Sequence, residues 1–265
     1  MKNPIKWVIA VVALIGVAAI VYYHWFREEA APQPQPPAQP VETKPMPETK
    51  PAPKIQYPVE EQAGEKPLPT LGESDSAMRE ALESLFGRSV FAKYFFLDEI
   101  IRRIVVTVDN LPREKVSQRL MPVKPVQGKF LVTGAEENAV INPANYARYK
   151  PYVQLTETVD VKKLVAVYVH FYPLFQQAYK DLGYPNGYFN DRLIEVIDHL
   201  LAAPDVKGPV KLVQPKVFYE FADPGLEALS AGQKIMIRMG PENSAKIKAK
   251  LKEYRRELTR EELKQ

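Results

Sequence analysis

The sequence predicts a mainly α protein with a minor β component, laid out as one N-terminal transmembrane helix, a Pro-rich linker and a compact multi-helix domain. Three observations carry this expectation. Residues 7–26 contain no Asp, Glu, Lys or Arg. Twelve of the 25 prolines fall between Pro32 and Pro69. From residue 74 onward, apolar side chains recur at helical spacing, interrupted by a few short strand-like stretches. A chain of 265 residues that is 46% hydrophobic and 26% charged has enough apolar material for a core. It has no cysteine, which excludes a disulfide framework, thiolate metal sites and a cysteine nucleophile.

Residues 1–6 are expected to form a cytoplasmic tail and residues 7–26 the membrane span. Twenty helical residues reach about 30 Å, the thickness of a bilayer's hydrocarbon core. Trp7 marks one end and Tyr22, Tyr23, Trp25 and Phe26 the other, where aromatic rings favour the headgroup level. Lys2 and Lys6 precede the run, and Arg27 is followed by Glu28 and Glu29, so the positive-inside bias places the N-terminus in the cytoplasm. Val17-Ala18-Ala19 could serve as a signal-peptide cleavage site, but the apolar run continues seven residues beyond it, which favours an uncleaved anchor. His24 sits among the interfacial aromatics, where water can reach it.

Residues 27–72 read as a disordered Pro-rich linker, since Pro, Glu, Lys, Gln and Thr cannot bury a core. Residues 1–72 carry seven basic and seven acidic side chains, so the net charge of +4 belongs to the rest of the chain. Residues 241–260 concentrate it, with seven basic residues against three acidic ones. That excess is too local for a nucleic-acid binder, and no nucleic-acid partner is expected.

Residues 73–265 are expected to fold as a helical domain. Ser74 and Asp75 can cap a helix that Gly87 ends. Residues 91–108 read as one helix, and residues 113–120 as another. Residues 128–133 and 139–141 look like a hairpin around Gly134. Asn142-Pro143 should open a helix that Pro151 ends. Residues 160–182 read as a central helix, kinked or broken by Pro173 and ended by Gly183, with Lys163, His170 and Gln177 on its exposed stripe. Asn190 should cap the next helix, which ends near Ala203-Pro204. Residues 211–214 and 217–221 are strand-like. Asp223-Pro224 opens a helix, residues 233–239 form another stopped at Gly240-Pro241, and the last carries Ile247, Leu251, Tyr254 and Leu258 on one stripe.

From about residue 76 to 258 the chain resembles the bacterial family catalogued as domain of unknown function 3014. The matching stretches are Asp109-Asn110-Leu111-Pro112, Asn145-Tyr146-Ala147-Arg148-Tyr149, Leu182-Gly183-Tyr184-Pro185, Asn190-Asp191-Arg192-Leu193 and Arg238-Met239-Gly240-Pro241. The resemblance implies an anchored envelope protein of proteobacterial type, and no particular activity.

Two constellations could carry chemistry. Asp191, Glu195 and Asp198 fall at i, i+4 and i+7, with Arg192 and His199 beside them, a face able to do general acid–base work if burial tuned it. The competing interpretation is the solvated side of an amphipathic helix. Eight of the 14 tyrosines lie between Tyr146 and Tyr188. Tyr149, Tyr152, Tyr184 and Tyr188, with Asn145, Arg148 and Asn190, could present aromatic faces and donors to sugar rings, proline-rich peptides or a partner surface. The competing interpretation is that Tyr146, Tyr168, Tyr172 and Tyr179 are core residues whose hydroxyls reach the rim. No metal site or cofactor is expected, and the common hydrolase and nucleotide-binding motifs are absent from the sequence.

The expected function is therefore a membrane-anchored, non-enzymatic binding or scaffold module presented in the periplasm, with an envelope protein or peptidoglycan as partner. The alternatives are an envelope hydrolase using the acidic/His helix face, and a TonB-like stalked transducer, similar in layout only.

Overall fold

The computed structural model describes residues 54–59 and 67–259. The expected cytoplasmic tail and membrane span lie outside these residues. Among those described, no helix is long and apolar enough to cross a membrane. The described chain is mainly helical: α1 (Asp75–Phe86), α2 (Arg88–Tyr94), α3 (Ile100–Asn110), α4 (Ala144–Thr158), α5 (Val161–His170), α6 (Tyr172–Asp181), α7 (Phe189–Leu201), α8 (Pro224–Glu227), α9 (Ala231–Arg238) and α10 (Pro241–Thr259). Two short antiparallel pairs complete it: β1 (Val132–Thr133) with β2 (Val140–Ile141), and β3 (Leu212–Val213) with β4 (Glu220–Phe221).

The main core lies where α3 packs on α6 and α7, with α1 covering α2, α3 and α5. Phe91 and Phe189 are fully enclosed there, each contributing about 1.5–3 kcal/mol by leaving water. A second cluster gathers the two strand pairs around Ile141, Leu212, Phe221 and Ile237. The long α10 lies across α4, α5 and α7 and joins the parts.

Several boundaries differ from the local sequence signals. The helix expected over 91–108 is broken: Phe95 turns to extended backbone and bridges Val123, and Glu99 adopts a left-handed conformation. The new N-terminus at Ile100 is capped from α1, because the Asp75 carboxylate accepts from the Glu99 and Ile100 N–H groups at 2.7 and 2.9 Å. Residues 113–120 form no α-helix, only a 3-10 turn at Gln118–Leu120. Just before it, the Leu111 and Arg113 carbonyls accept from Gly232 and Ala231 at the start of α9.

Pro151 does not end α4 but lies inside it. The carbonyl that its missing N–H would have bonded belongs to Ala147, an exposed residue. The central helix does break as expected, at Phe171, leaving Pro173 in the first turn of α6, where no N–H is required. Lys163, His170 and Gln177 are exposed, and Gly183 takes the positive φ of a C-terminal cap.

Candidate functional site

The folded part begins earlier than residue 73. Gln56, Tyr57 and Val59, assigned by composition to the linker, are fixed at the start of α7 through their backbone. The Asp191 carboxylate accepts from Gln56 N–H at 3.0 Å and from Tyr57 N–H at 2.8 Å. Asn190 Nδ2 donates to the Tyr57 carbonyl at 2.8 Å. The Tyr188 hydroxyl accepts from Val59 N–H at 2.7 Å. Every backbone N–H that residues 56–59 possess is thereby satisfied, Pro58 having none. Val59 also packs against the main core, as do Leu68 and Leu71.

The cradle is held from behind. Tyr168 donates to Asn190 Oδ1 at 3.1 Å, which leaves the amide nitrogen to face Tyr57. Burial pushes the Tyr168 hydroxyl well above its ordinary pKa, and the neighbouring Tyr188 and Asp191 add to the effect, so it remains a donor. Gln176 on α6 donates to the Gly187 carbonyl at 2.8 Å and accepts from Phe189 N–H at 2.8 Å, fixing the turn that presents Tyr188. A methyl group at Gly187 would lie 2.7 Å from the Tyr179 ring, so this turn passes too close for a side chain. Asn190 is fully buried inside α7 instead of capping it, and its polar atoms serve the cradle.

Next to the cradle lies an ionic hub that sequence analysis did not single out. Asp109 is 2% exposed. Its carboxylate accepts from Arg113 at 2.6 Å, Arg192 at 3.2 Å and the Tyr184 hydroxyl at 3.1 Å. Arg192 also donates to the Asp109 carbonyl at 2.9 Å, tying α7 to the end of α3. The hydrogen bond to Asp109 raises the Arg113 pKa. The Asp109-Asn110-Leu111-Pro112 stretch was the available signal, but nothing local to it identifies partners 75 and 83 residues away.

The proposed acid–base face does not converge. Asp191 holds residues 56 and 57, whereas Glu195 pairs with Arg192 at 2.9 Å. Asp198 accepts from Arg255 at 2.6 Å, and His199 Nε2 lies 2.8 Å from Ser230 Oγ. The four candidates thus engage four separate partners. Among the described residues, no three His, Cys, Asp or Glu side chains are grouped to hold a metal ion.

The tyrosine-rich candidates divide in two. Tyr188 and Asn190 meet at the cradle, and Tyr184, stacked on Tyr179 at 4.6 Å, joins the hub beside it. The others brace loops elsewhere. Asn145 is fully buried, bonded to the Leu131 N–H and carbonyl and to the Asn142 carbonyl. Arg148 donates to the carbonyls of Gln127 and Gly128 and to Asn145. Tyr152 donates to the Lys124 carbonyl at 2.9 Å. Tyr149 packs beside Ala203, Met236 and Met239, and burial raises its pKa.

A family model described as "Protein of unknown function (DUF3014)" matches residues 100–255. This stretch falls within residues 76–258 and includes the cradle and the hub, while the segment that the cradle holds precedes it. No curated protein and no solved structure matches the chain.

Proposed function

The chain belongs to this family of proteins of unknown function (DUF3014), and from that premise we propose that it is a membrane-anchored cell-envelope scaffold: a non-enzymatic binding module presented in the periplasm. The observation that carries this proposal is the cradle of Tyr188, Asn190 and Asp191, which grips the Gln-Tyr-Pro-Val segment by its backbone. Side chains that satisfy backbone groups fix a segment in place without doing chemistry on it. Docking the chain's own linker sets the length left between anchor and domain. Residues 27–53 remain, and fully extended they would span about 85 Å at the polyproline rise. The domain would then meet an envelope protein or peptidoglycan within that fixed reach. The dispersal of Asp191, Glu195, Asp198 and His199 among separate partners supports binding over hydrolysis.

The absence of native cysteine makes the topology directly testable. In spheroplasts, K163C should react with a membrane-impermeant maleimide, while K2C should react only after lysis. Labelling of both before lysis, or recovery of the chain in the soluble fraction, would refute the anchored topology. Full-length protein incubated with insoluble peptidoglycan should release no sugar fragments, and release would refute the non-enzymatic assignment. Saturable pelleting would identify the wall as the partner. Protein left in the supernatant would direct crosslinking towards envelope proteins.

A further inference from the structure

The cradle recognises a backbone pattern more than a set of side chains. Asp191 accepts from the N–H groups of two successive residues, Asn190 donates to the carbonyl of the second, and the Tyr188 hydroxyl accepts from the N–H of the fourth. The third residue, Pro58, has no N–H to place, and its fixed φ lowers the cost of ordering the segment. Gln56 and Pro58 are exposed, whereas Tyr57 and Val59 are half-buried, and Val59 packs against the main core. What the cradle binds is therefore two residues other than proline, then Pro, then an aliphatic residue.

The linker sequence holds a second stretch of this kind. Within residues 1–72 the Pro-Val dipeptide occurs twice, at 40–41 and 58–59, each time followed by Glu. Ala38-Gln39-Pro40-Val41 thus repeats Gln56-Tyr57-Pro58-Val59, with N–H groups at 38, 39 and 41 and a carbonyl at 39. Residues 43–46 and 49–52 carry the same backbone pattern. They would, however, place Lys44 or Lys50 where Tyr57 is half-buried, and Met46 or Ala52 where Val59 meets the core.

We infer that residues 38–41 are an alternative occupant of the cradle, taking the place of residues 56–59 of the same chain and giving the tether a second, shorter length. This inference rests on the cradle of the proposed function. With 38–41 docked, only residues 27–37 remain between the anchor and the domain, a reach of about 35 Å in place of about 85 Å. Docking them closes a loop of residues 42–66 instead of 60–66, which lowers their share about sevenfold. Gln39 in place of the half-buried Tyr57 lowers it about tenfold more. Residues 56–59 are therefore the resting occupant, and residues 38–41 succeed them when they are withdrawn.

The test uses the full-length chain in amphipol, free of native cysteine, and a short bis-maleimide. Glu195 is exposed and one turn after Asp191 on α7, so Q56C with E195C should crosslink within one chain, and D191A should weaken that crosslink. A38C with E195C should crosslink weakly in the otherwise native chain and about tenfold or more strongly once V59D expels residues 56–59; V59S serves if V59D fails to fold. Adding V41D should return the A38C yield to its starting level, although chance collisions of the linker are unchanged by it. No rise in any folded Val59 variant, or a rise that V41D leaves intact, would overturn the inference. So would a higher yield from T43C than from A38C, or crosslinks that join two chains instead of closing one. Crosslinking of Q56C without any from A38C would leave the cradle standing and remove only the second occupant, whereas failure of both would remove the cradle as well.

Discussion

Replacing Asp191 with Ala removes the acceptor for two backbone N–H groups of the docked segment, those of Gln56 and Tyr57. Hydrogen bonds to a charged group contribute about 1.5–3 kcal/mol each when shielded. The Gln56 bond is exposed and the Tyr57 bond part-buried, so water offsets most of the first and some of the second. A combined loss of about 2 kcal/mol in the local opening free energy follows, or about 30-fold in the open population. The sequence supplies the assay. Lys44, Lys50 and Lys66 each precede proline and resist trypsin, leaving Lys54–Ile55 as the one cleavable bond between Glu28 and Arg79. Trypsin must draw Gln56 and Tyr57 out of the cradle to cut there. With opening fast relative to cleavage, the rate tracks the open population. D191A should therefore be cut about 30-fold faster than the native chain, and D191N, which keeps one acceptor oxygen, by an intermediate factor. A free peptide covering residues 50–60 gives the rate of the fully open segment. A change below threefold with the helical circular dichroism intact, or a native rate equal to that of the peptide, would refute the cradle.

The other predictions concern what surrounds it. G187A should also expose Lys54–Ile55, because its methyl group would press on Tyr179 and shift the turn that presents Tyr188; an unchanged cleavage rate would contradict this. N145A should cost about 1–2 kcal/mol in urea unfolding by removing the acceptor of the Leu131 N–H, while the Leu131 carbonyl keeps its bond from the Asn142 N–H, and a loss under 0.5 kcal/mol would return Asn145 to the candidate binding surface. D109A should cost about 3 kcal/mol, since the Arg192 side chain is only 17% exposed and would lose its buried partner; D109N, which keeps the shape, should cost less. Burial raises the Glu227 pKa, but the hydrogen bonds from Lys234 and Phe221 outweigh it and hold the carboxyl below its ordinary value. Its contribution is therefore present above about pH 4.5 and lost as pH falls through the lower folded-state value. Unfolding free energies between pH 5 and 3 should fall less steeply in E227Q.

Features set within one helical turn are readable in the sequence. Asp223 caps α8 immediately before Pro224, and Ser230 caps α9 with its side chain. Gly183 and Gly240 take positive φ just past the ends of α6 and α9. The strand-like stretches 211–214 and 217–221 contain β3 and β4. Such signals depend on residues a few positions apart, and so the mainly helical class and many boundaries follow from local chemistry. Tertiary structure decided the rest. Asp75, a good local cap by type, instead caps α3 about 25 residues away. Asn190, placed where a cap was expected, is buried within α7 and turned towards Tyr57. Asp191, on what looked like a solvent face, holds a segment 135 residues earlier in the chain. Composition assigned that segment to the linker because residues 27–72 as a whole are rich in Pro, Glu, Lys, Gln and Thr. It is nevertheless ordered by hydrogen bonds to its backbone, which carries the same donors and acceptors in almost any sequence. Composition cannot register such bonds, and only the tertiary fold brings the segment to Tyr188, Asn190 and Asp191, which lie 129 to 135 residues away in the chain.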